Sequence, residues 1–142
     1  QDVIKLAKML PEQWKSVLVG LSKKQLKTIP AAITGIERTN NVQELAQIYT
    51  AADVFFNPTY EDNYPTTNLE AIACGTPVIT YDTGGSPEST LYGCGKILSK
   101  GSYVGVISLL SKMKKLKINV GELNKDTLFL RYIALYNAVL YK

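Results

Sequence analysis

Histidine is absent from all 142 residues, and cysteine occurs only twice, at Cys74 and Cys94. Without histidine there is no Ser-His-Asp or Cys-His nucleophile, no imidazole general base and no Cys/His zinc arrangement. A resident metal is therefore not expected. No apolar run reaches the roughly 18 residues of a membrane-spanning helix, and the opening Gln1-Asp2-Val3-Ile4-Lys5 lacks the basic and apolar regions of a signal peptide. The chain reads on these grounds as cytoplasmic. Proline is scarce at 6 residues, glycine numbers 10 and charged residues make up 20% against 46% hydrophobic, which excludes collagenous, disordered and coiled-coil classes. Charge of one sign is not in great excess: 16 Lys plus Arg face 12 Asp plus Glu, a net +4.

What is present is an alternation of helical spacing with short β-rich runs, the pattern of a parallel α/β sheet. Val3, Ile4, Leu6, Ala7 and Leu10 make a helical stripe ended by Pro11, and Ser16 to Gly20 follows as a buried strand. Ser22 caps a second helix with Leu26 and Ile29 inside and Lys23, Lys24 and Lys27 outside; Ala32 to Ile36 is the next strand. Asn41 caps a helix whose apolar face is Val42, Leu45, Ala46 and Tyr49, and Asp53 to Asn57 is the third strand. Pro58 to Pro65 is a polar loop, Thr66 to Cys74 a helix stopped by Gly75 and Pro77, and Val78 to Tyr81 the fourth strand. After the loop Asp82 to Ser86, Pro87 opens a small helix capped by Ser86, and Gly95 to Leu98 is a fifth strand. Helices are expected over Val104 to Lys115 and Asn124 to Tyr141, the latter with Leu128, Tyr132, Leu135, Tyr136 and Val139 at helical spacing. No linker divides the chain, so residues 1–142 are read as one domain. The start, without methionine and already helical in pattern, reads as a piece excised from a longer protein.

Ligands of open α/β sheets bind outside the carboxyl ends of the strands, which directs attention to the loops after each strand. The richest is Asn57-Pro58-Thr59-Tyr60-Glu61-Asp62-Asn63-Tyr64-Pro65-Thr66-Thr67-Asn68-Leu69-Glu70. Its helix start offers unpaired backbone amides near residues 67 to 69 and the positive end of a dipole, a setting for phosphate. The same Thr67-Asn68-Leu69-Glu70 is also a capping-box sequence, with Glu70 merely returning a hydrogen bond to Thr67, and Asp62 by itself fits a turn-stabilising carboxylate.

Taken together, Asp62, Glu70, Ala71, Ala73, Gly75, Pro77 and Val78 resemble the retaining glycosyltransferases of family 4, enzymes of two-domain GT-B architecture. Those carry an acidic residue, seven positions, then Glu at a helix start followed by Ala-x-Ala-x-Gly-x-Pro-Val. Gly84-Gly85-Ser86-Pro87-Glu88 is similar to the family's next loop, and Asp53-Val54-Phe55-Phe56-Asn57-Pro58 to its approach strand. Two positions depart from the pattern. The first acid is Asp62 in register, with Glu61 one residue early, and the glycine usual in mid-motif is Pro65, which has no N–H to offer.

The resemblance covers the chain as the C-terminal, donor-binding half of such an enzyme: a Rossmann-like parallel sheet flanked by helices, the N-terminal acceptor domain lying outside this chain. It implies that Glu70 binds the ribose hydroxyls and Asp62 faces the transferring sugar. Thr66, Thr67, Asn68 and Leu69 would hold the diphosphate, while Gly20, Leu21, Ile36, Glu37 and Arg38 line the base pocket. The implied substrate is a UDP- or GDP-hexose. Its hexosyl group would pass with retention, through an oxocarbenium-like state and without a metal or other cofactor, to a glycan or lipid-linked acceptor of polysaccharide biosynthesis at the inner face of the membrane. In the family an Arg and a Lys on the phosphates come from just before the helix that opens this chain, so the isolated chain is expected to bind donor weakly and to transfer little.

Two other classes fit the same residues: a sugar-nucleotide epimerase of GT-B architecture, disfavoured by the missing histidine, and a non-catalytic nucleotide- or partner-binding module. The run Lys112, Lys114, Lys115, Lys117 has no interleaved aromatics and reads as a solvated helix face, with no nucleic-acid partner. Cys74 reads as a small buried residue, and Cys94 as a loop residue without chemistry. Tyr132, Tyr136 and Tyr141 read either as core packing or, by resemblance, as part of an element returning to the acceptor domain.

Overall fold

The computed structural model describes residues 1–91, 93–115 and 125–140. Helix α1 (Asp2–Met9) leads into β1 (Ser16–Val19), α2 (Lys23–Leu26), β2 (Ile33–Ile36) and α3 (Val42–Ala51). Then follow β3 (Phe55–Asn57), α4 (Thr66–Ala73), β4 (Val78–Tyr81), a single 3₁₀ turn (Pro87–Thr90), β5 (Gly95–Leu98), α5 (Tyr103–Leu110) and α6 (Lys125–Leu140). The start signals act as expected. Ser22 and Gln25 form a reciprocal capping box, Gln25 N–H on Ser22 Oγ at 3.2 Å and Ser22 N–H on Gln25 Oε1 at 2.8 Å. Asn41 Oδ1 likewise accepts from Glu44 N–H at 2.8 Å.

All strand pairs are parallel, but they form two sheets, β1-β2 and β3-β4-β5. The core is built on the second. Alternate residues of adjacent strands enter opposite clusters, as a pleat with period two requires. Phe55 and Val78 join Tyr49, Leu45, Ala71, Ile72, Cys74 and Cys94 on the face covered by α3 and α4. Phe56 and Ile79 join Leu6, Leu10, Trp14, Val106 and Leu110 on the face covered by α1 and α5. Helices on both faces of a parallel sheet make this a Rossmann-like α/β arrangement.

Several expectations need correction. Strand β1 is not buried on both faces: Val17 and Val19 are 49% and 37% exposed, because α2 is a single turn and covers only one side of a two-stranded sheet. β3 begins two residues later than expected, at Phe55. The small helix after Ser86 is a 3₁₀ turn, and Ser86 does not cap it with its side chain; its Oγ is buried and has no hydrogen-bond partner. Helix α5 starts at Tyr103 and ends at Leu110, so the lysine run lies beyond it. Lys115 does not sit on a solvated helix face: its Nζ donates to the Thr50 and Ala52 carbonyls that end α3 and lies 3.1 Å from Thr76 Oγ1. Lys117 lies outside the described residues.

Cys94 is in a turn, yet it is buried in the core, where desolvation raises its thiol pKa. Core packing for the last helix is overturned, since Tyr132 and Tyr136 are 61% and 65% exposed; Tyr141 and the Leu128 side chain lie outside the description. Both faces of the main sheet are already covered by other helices. Among the described residues no helix is long and apolar enough to cross a membrane.

Candidate functional site

The carboxyl ends of β3 and β4 lie side by side, Asn57 opposite Thr80. From β3 the chain enters the acidic loop and then α4; from β4 it enters the glycine loop and the 3₁₀ turn. Four polar side chains fix these segments on one another. Buried Asn68, in the first turn of α4, accepts from Asn57 Nδ2 at 2.9 Å and donates to Ser89 Oγ at 2.8 Å. Ser89 in turn donates to Ser86 O at 2.6 Å, and Thr80 Oγ1 to Asn57 O at 3.2 Å. The buried side chains of Asn68, Ser89 and Thr80 are thereby paired, which is what makes their burial tolerable, while Ser86 takes part through its carbonyl alone. The result places the start of α4 over the ends of β3 and β4.

The helix does not start as a capping box. Its N-cap is Pro65, one residue earlier than Thr66 and two before Thr67, and no side chain caps it. Proline has no amide proton to satisfy, so it terminates the loop at no cost in unmade hydrogen bonds. Asn68 N–H is taken by Pro65 O at 3.1 Å, which leaves the amides of Thr66 and Thr67, both exposed residues, as the outward donors of the first turn. Of the four residues expected on the diphosphate, Asn68 is thus committed to the scaffold through both its side chain and its amide, and Leu69 is half-buried.

Glu70 is exposed and, in place of a bond back to Thr67, receives one from Tyr49: the phenol donates to Glu70 Oε2 at 3.2 Å. Asp62 is half-buried. Its Oδ1 accepts Tyr64 N–H at 3.0 Å, a local turn, and its carbonyl accepts Gly85 N–H at 3.3 Å. The acidic and glycine loops meet backbone to backbone. A Cβ on Gly84 would stand 1.9 Å from Asp62 O and one on Gly85 2.0 Å from Asn63 O, and Gly84 has φ +49°. Only glycine permits that approach. Thr83 Oγ1 adds a bond to Tyr60 O at 2.8 Å.

The acidic loop is also tied to α1, which sequence reasoning missed. Buried Asp2 accepts on Oδ2 from Tyr60 and Tyr81, each at 2.8 Å, and the two tyrosine rings meet edge to face at 5.6 Å. The Tyr81 hydrogen bond, followed by that of Tyr60 and the charge of Lys5, outweighs burial and lowers the Asp2 pKa. The two phenols are correspondingly raised, Tyr81 chiefly by burial and Tyr60 chiefly by its bond to Asp2. An acid in a first helical turn was visible in sequence. Its partners, 58 and 79 residues away, were not.

The remaining candidates form a second group. Gly20 and Leu21 N–H both donate to Ile36 O, at 3.0 and 3.2 Å, so the exit of β1 is closed onto the end of β2, with exposed Glu37 and Arg38 next in chain. Gly20 makes the turn at φ +88°. These five residues are brought together at the carboxyl end of the smaller sheet; among the described residues no hydrogen bond or ion pair joins them to Asp62, Thr66, Thr67 or Glu70. No group of three or more carboxylate or thiol side chains arranged for a metal is found among the described residues.

Comparison with known proteins gives a family model, described as glycosyl transferases group 1, that matches residues 2–116. Curated proteins similar to the chain include a D-inositol 3-phosphate glycosyltransferase of Corynebacterium jeikeium, 47% identical over 45 residues, 32% of this chain and 11% of that protein. Another, of Streptomyces bingchenggensis, is 43% identical over 58 residues, 41% of this chain and 13% of the relative. A third, of Mycolicibacterium smegmatis, is 35% identical over 63 residues, 44% and 14% respectively. The chain thus covers only a small part, 11 to 14%, of the length of these relatives.

Proposed function

This chain belongs to the glycosyl transferases group 1 family, and on that premise we propose that residues 1–142 are the donor-binding domain of a retaining glycosyltransferase whose acceptor domain lies outside them. The observation that carries this reading is the start of α4. The Asn57–Asn68–Ser89 network holds it over the ends of two parallel strands, with the Thr66 and Thr67 amides outward and Glu70 one turn further on. Amides at a helix N-terminus suit the diphosphate of a nucleotide sugar, and a carboxylate that can accept two hydrogen bonds suits a ribose diol.

In the proposed reaction the bond between the anomeric carbon and the diphosphate oxygen lengthens, and positive charge grows on the sugar while negative charge grows on the leaving group. The α4 amides and dipole stabilise the diphosphate. Asp62, steadied through Oδ1 by its own turn, keeps a second carboxylate oxygen for the sugar. Gly20, Leu21, Ile36, Glu37 and Arg38 would receive the base. The donor is a UDP- or GDP-hexose, used without a cofactor, and the acceptor a glycan or lipid-linked glycan met at the inner face of the membrane. Exposed apolar residues of α6 such as Phe129, Leu130 and Ile133 would pack towards the acceptor domain. The similarity of the inositol-phosphate relatives extends the acceptor classes to be tried to phosphorylated polyols.

The test is a calorimetric or thermal-shift titration of the chain with UDP, GDP, ADP and their hexose conjugates. One nucleotide should stabilise the protein selectively, and Glu70→Ala should weaken that binding about tenfold or more while changing stability by under about 1 kcal/mol, since Glu70 forms no capping box. Undiminished binding by Glu70→Ala would overturn the assignment.

A further inference from the structure

Tyr49 occupies the last turn of α3, 9% exposed, with its ring edge-to-face on Phe55 at 5.4 Å and an interplanar angle of 85°. Its carbonyl accepts Thr76 Oγ1 at 2.5 Å, so backbone and ring are both held. An aromatic packed this way has a fixed hydroxyl position. That hydroxyl emerges from the core to donate to Glu70 Oε2, on a different helix and 21 residues away, at 3.2 Å. Glu70 is otherwise an exposed side chain with three rotatable bonds, whose carboxylate would sample many orientations in water.

We propose that Tyr49 is a positioning residue for Glu70: its rigid hydroxyl takes Oε2 and so orients the carboxylate towards the vicinal hydroxyls of a nucleotide ribose. The inference rests on the reading of Glu70 as the ribose-binding residue. Burial, reinforced by the adjacent Glu70 charge, raises the Tyr49 phenol pKa, which favours the protonated, donating form. The carboxylate is then presented to the ligand in one orientation, and less entropy is lost when ribose binds.

The experiment compares the chain with its Tyr49→Phe and Glu70→Ala variants. Each is titrated, up to millimolar ligand, with UDP, GDP and ADP and with their 2′,3′-dideoxy counterparts, and thermal midpoints are recorded in parallel. Phenylalanine keeps the packing on Phe55 and removes only the donor. The unsubstituted chain should prefer the ribose form of its nucleotide about tenfold or more, and Glu70→Ala should lose that preference. Tyr49→Phe should lose about 3- to 10-fold of it with its affinity for the dideoxy form unchanged. A Tyr49→Phe protein that weakens on both forms equally has lost only structure, and the inference fails. Retention of the full preference by Tyr49→Phe, with its loss in Glu70→Ala, defeats the inference but leaves the Glu70 reading standing. Retention by Glu70→Ala, or no binding of any of the six ligands, defeats the Glu70 reading and this inference with it.

Discussion

Asp2 shows how much a single carboxylate can do when its partners come from distant segments. One oxygen accepts two phenols, joining α1 to the acidic loop through Tyr60 and to the end of β4 through Tyr81. Its folded pKa lies below the ordinary aspartate value, so the stability it contributes is complete above the unfolded pKa and is lost as pH falls through the folded one. Asp2→Asn, which keeps the shape and removes the charge, should destabilise the protein by about 1 kcal/mol at pH 7. The deficit should shrink as pH falls through the folded pKa and the carboxylate takes up its proton. Denaturant melts across that range measure it, and a deficit independent of pH would mean that the charge is immaterial. Other residues turned out differently from their local patterns. Asn68 stood in a stretch of candidate phosphate ligands, yet it is fully buried in the scaffold, at 0% exposure, with its amide and side chain both bonded. Glu70 stood in a good capping-box sequence, yet its carboxylate bonds to Tyr49. Local spacing shows which bonds a side chain can make; a tertiary partner decides which one it does.

At the scale of elements, helices with strong start signals were legible, and so were strands of β-branched residues. β4 and β5 fall where the apolar runs place them, and the Ser22 and Asn41 caps form as their side-chain chemistry dictates. The acidic and glycine loops could be located by their residues, but not their contact, which Gly84 and Gly85 permit by lacking a Cβ. Lys115 illustrates the limit best. Four lysines in six positions look like a solvated face, but one of them lies over the carbonyl end of α3, where a helix dipole favours a cation. Lys115→Met should therefore lower stability by about 0.5–1 kcal/mol, while Lys112→Met and Lys114→Met should change it by under about 0.3 kcal/mol. Equal effects of the three substitutions in thermal melts would return Lys115 to the solvated class.

At the scale of the molecule, helices on both faces of β3-β4-β5 leave no uncovered side of that sheet for α6. A helix with apolar residues on every side is ordinarily a buried one, and here Phe129, Leu130, Tyr132, Ile133, Leu135 and Tyr136 are all more than half exposed. Under the proposed function, these exposed apolar residues would pack towards an acceptor domain outside residues 1–142. The 142-residue chain should show little or no sugar transfer, whereas the full-length protein should transfer, and Asp62→Asn in that protein should spare nucleotide binding and reduce turnover at least about tenfold. A radiolabelled-sugar transfer assay with parallel titration reads both. Transfer by the short chain at the full-length rate, or undiminished transfer by Asp62→Asn, would contradict this division of labour.

The order of residues alone determined the α/β class, the parallel alternation, most element positions and the acidic stretch ahead of α4. These depend on local periodicity and on turn and cap chemistry, which act over a few residues. Only the tertiary structure decided the split into two sheets and the bonding of Asp2 to Tyr60 and Tyr81. It alone set Asn68 into the scaffold, Tyr49 against Glu70 and Lys115 over α3. Each of the side-chain pairings is a hydrogen bond between groups brought near by packing of the core, at separations of 11 to 79 residues. Such pairings leave no periodic trace in the sequence, because any of several polar partners could have met the same need.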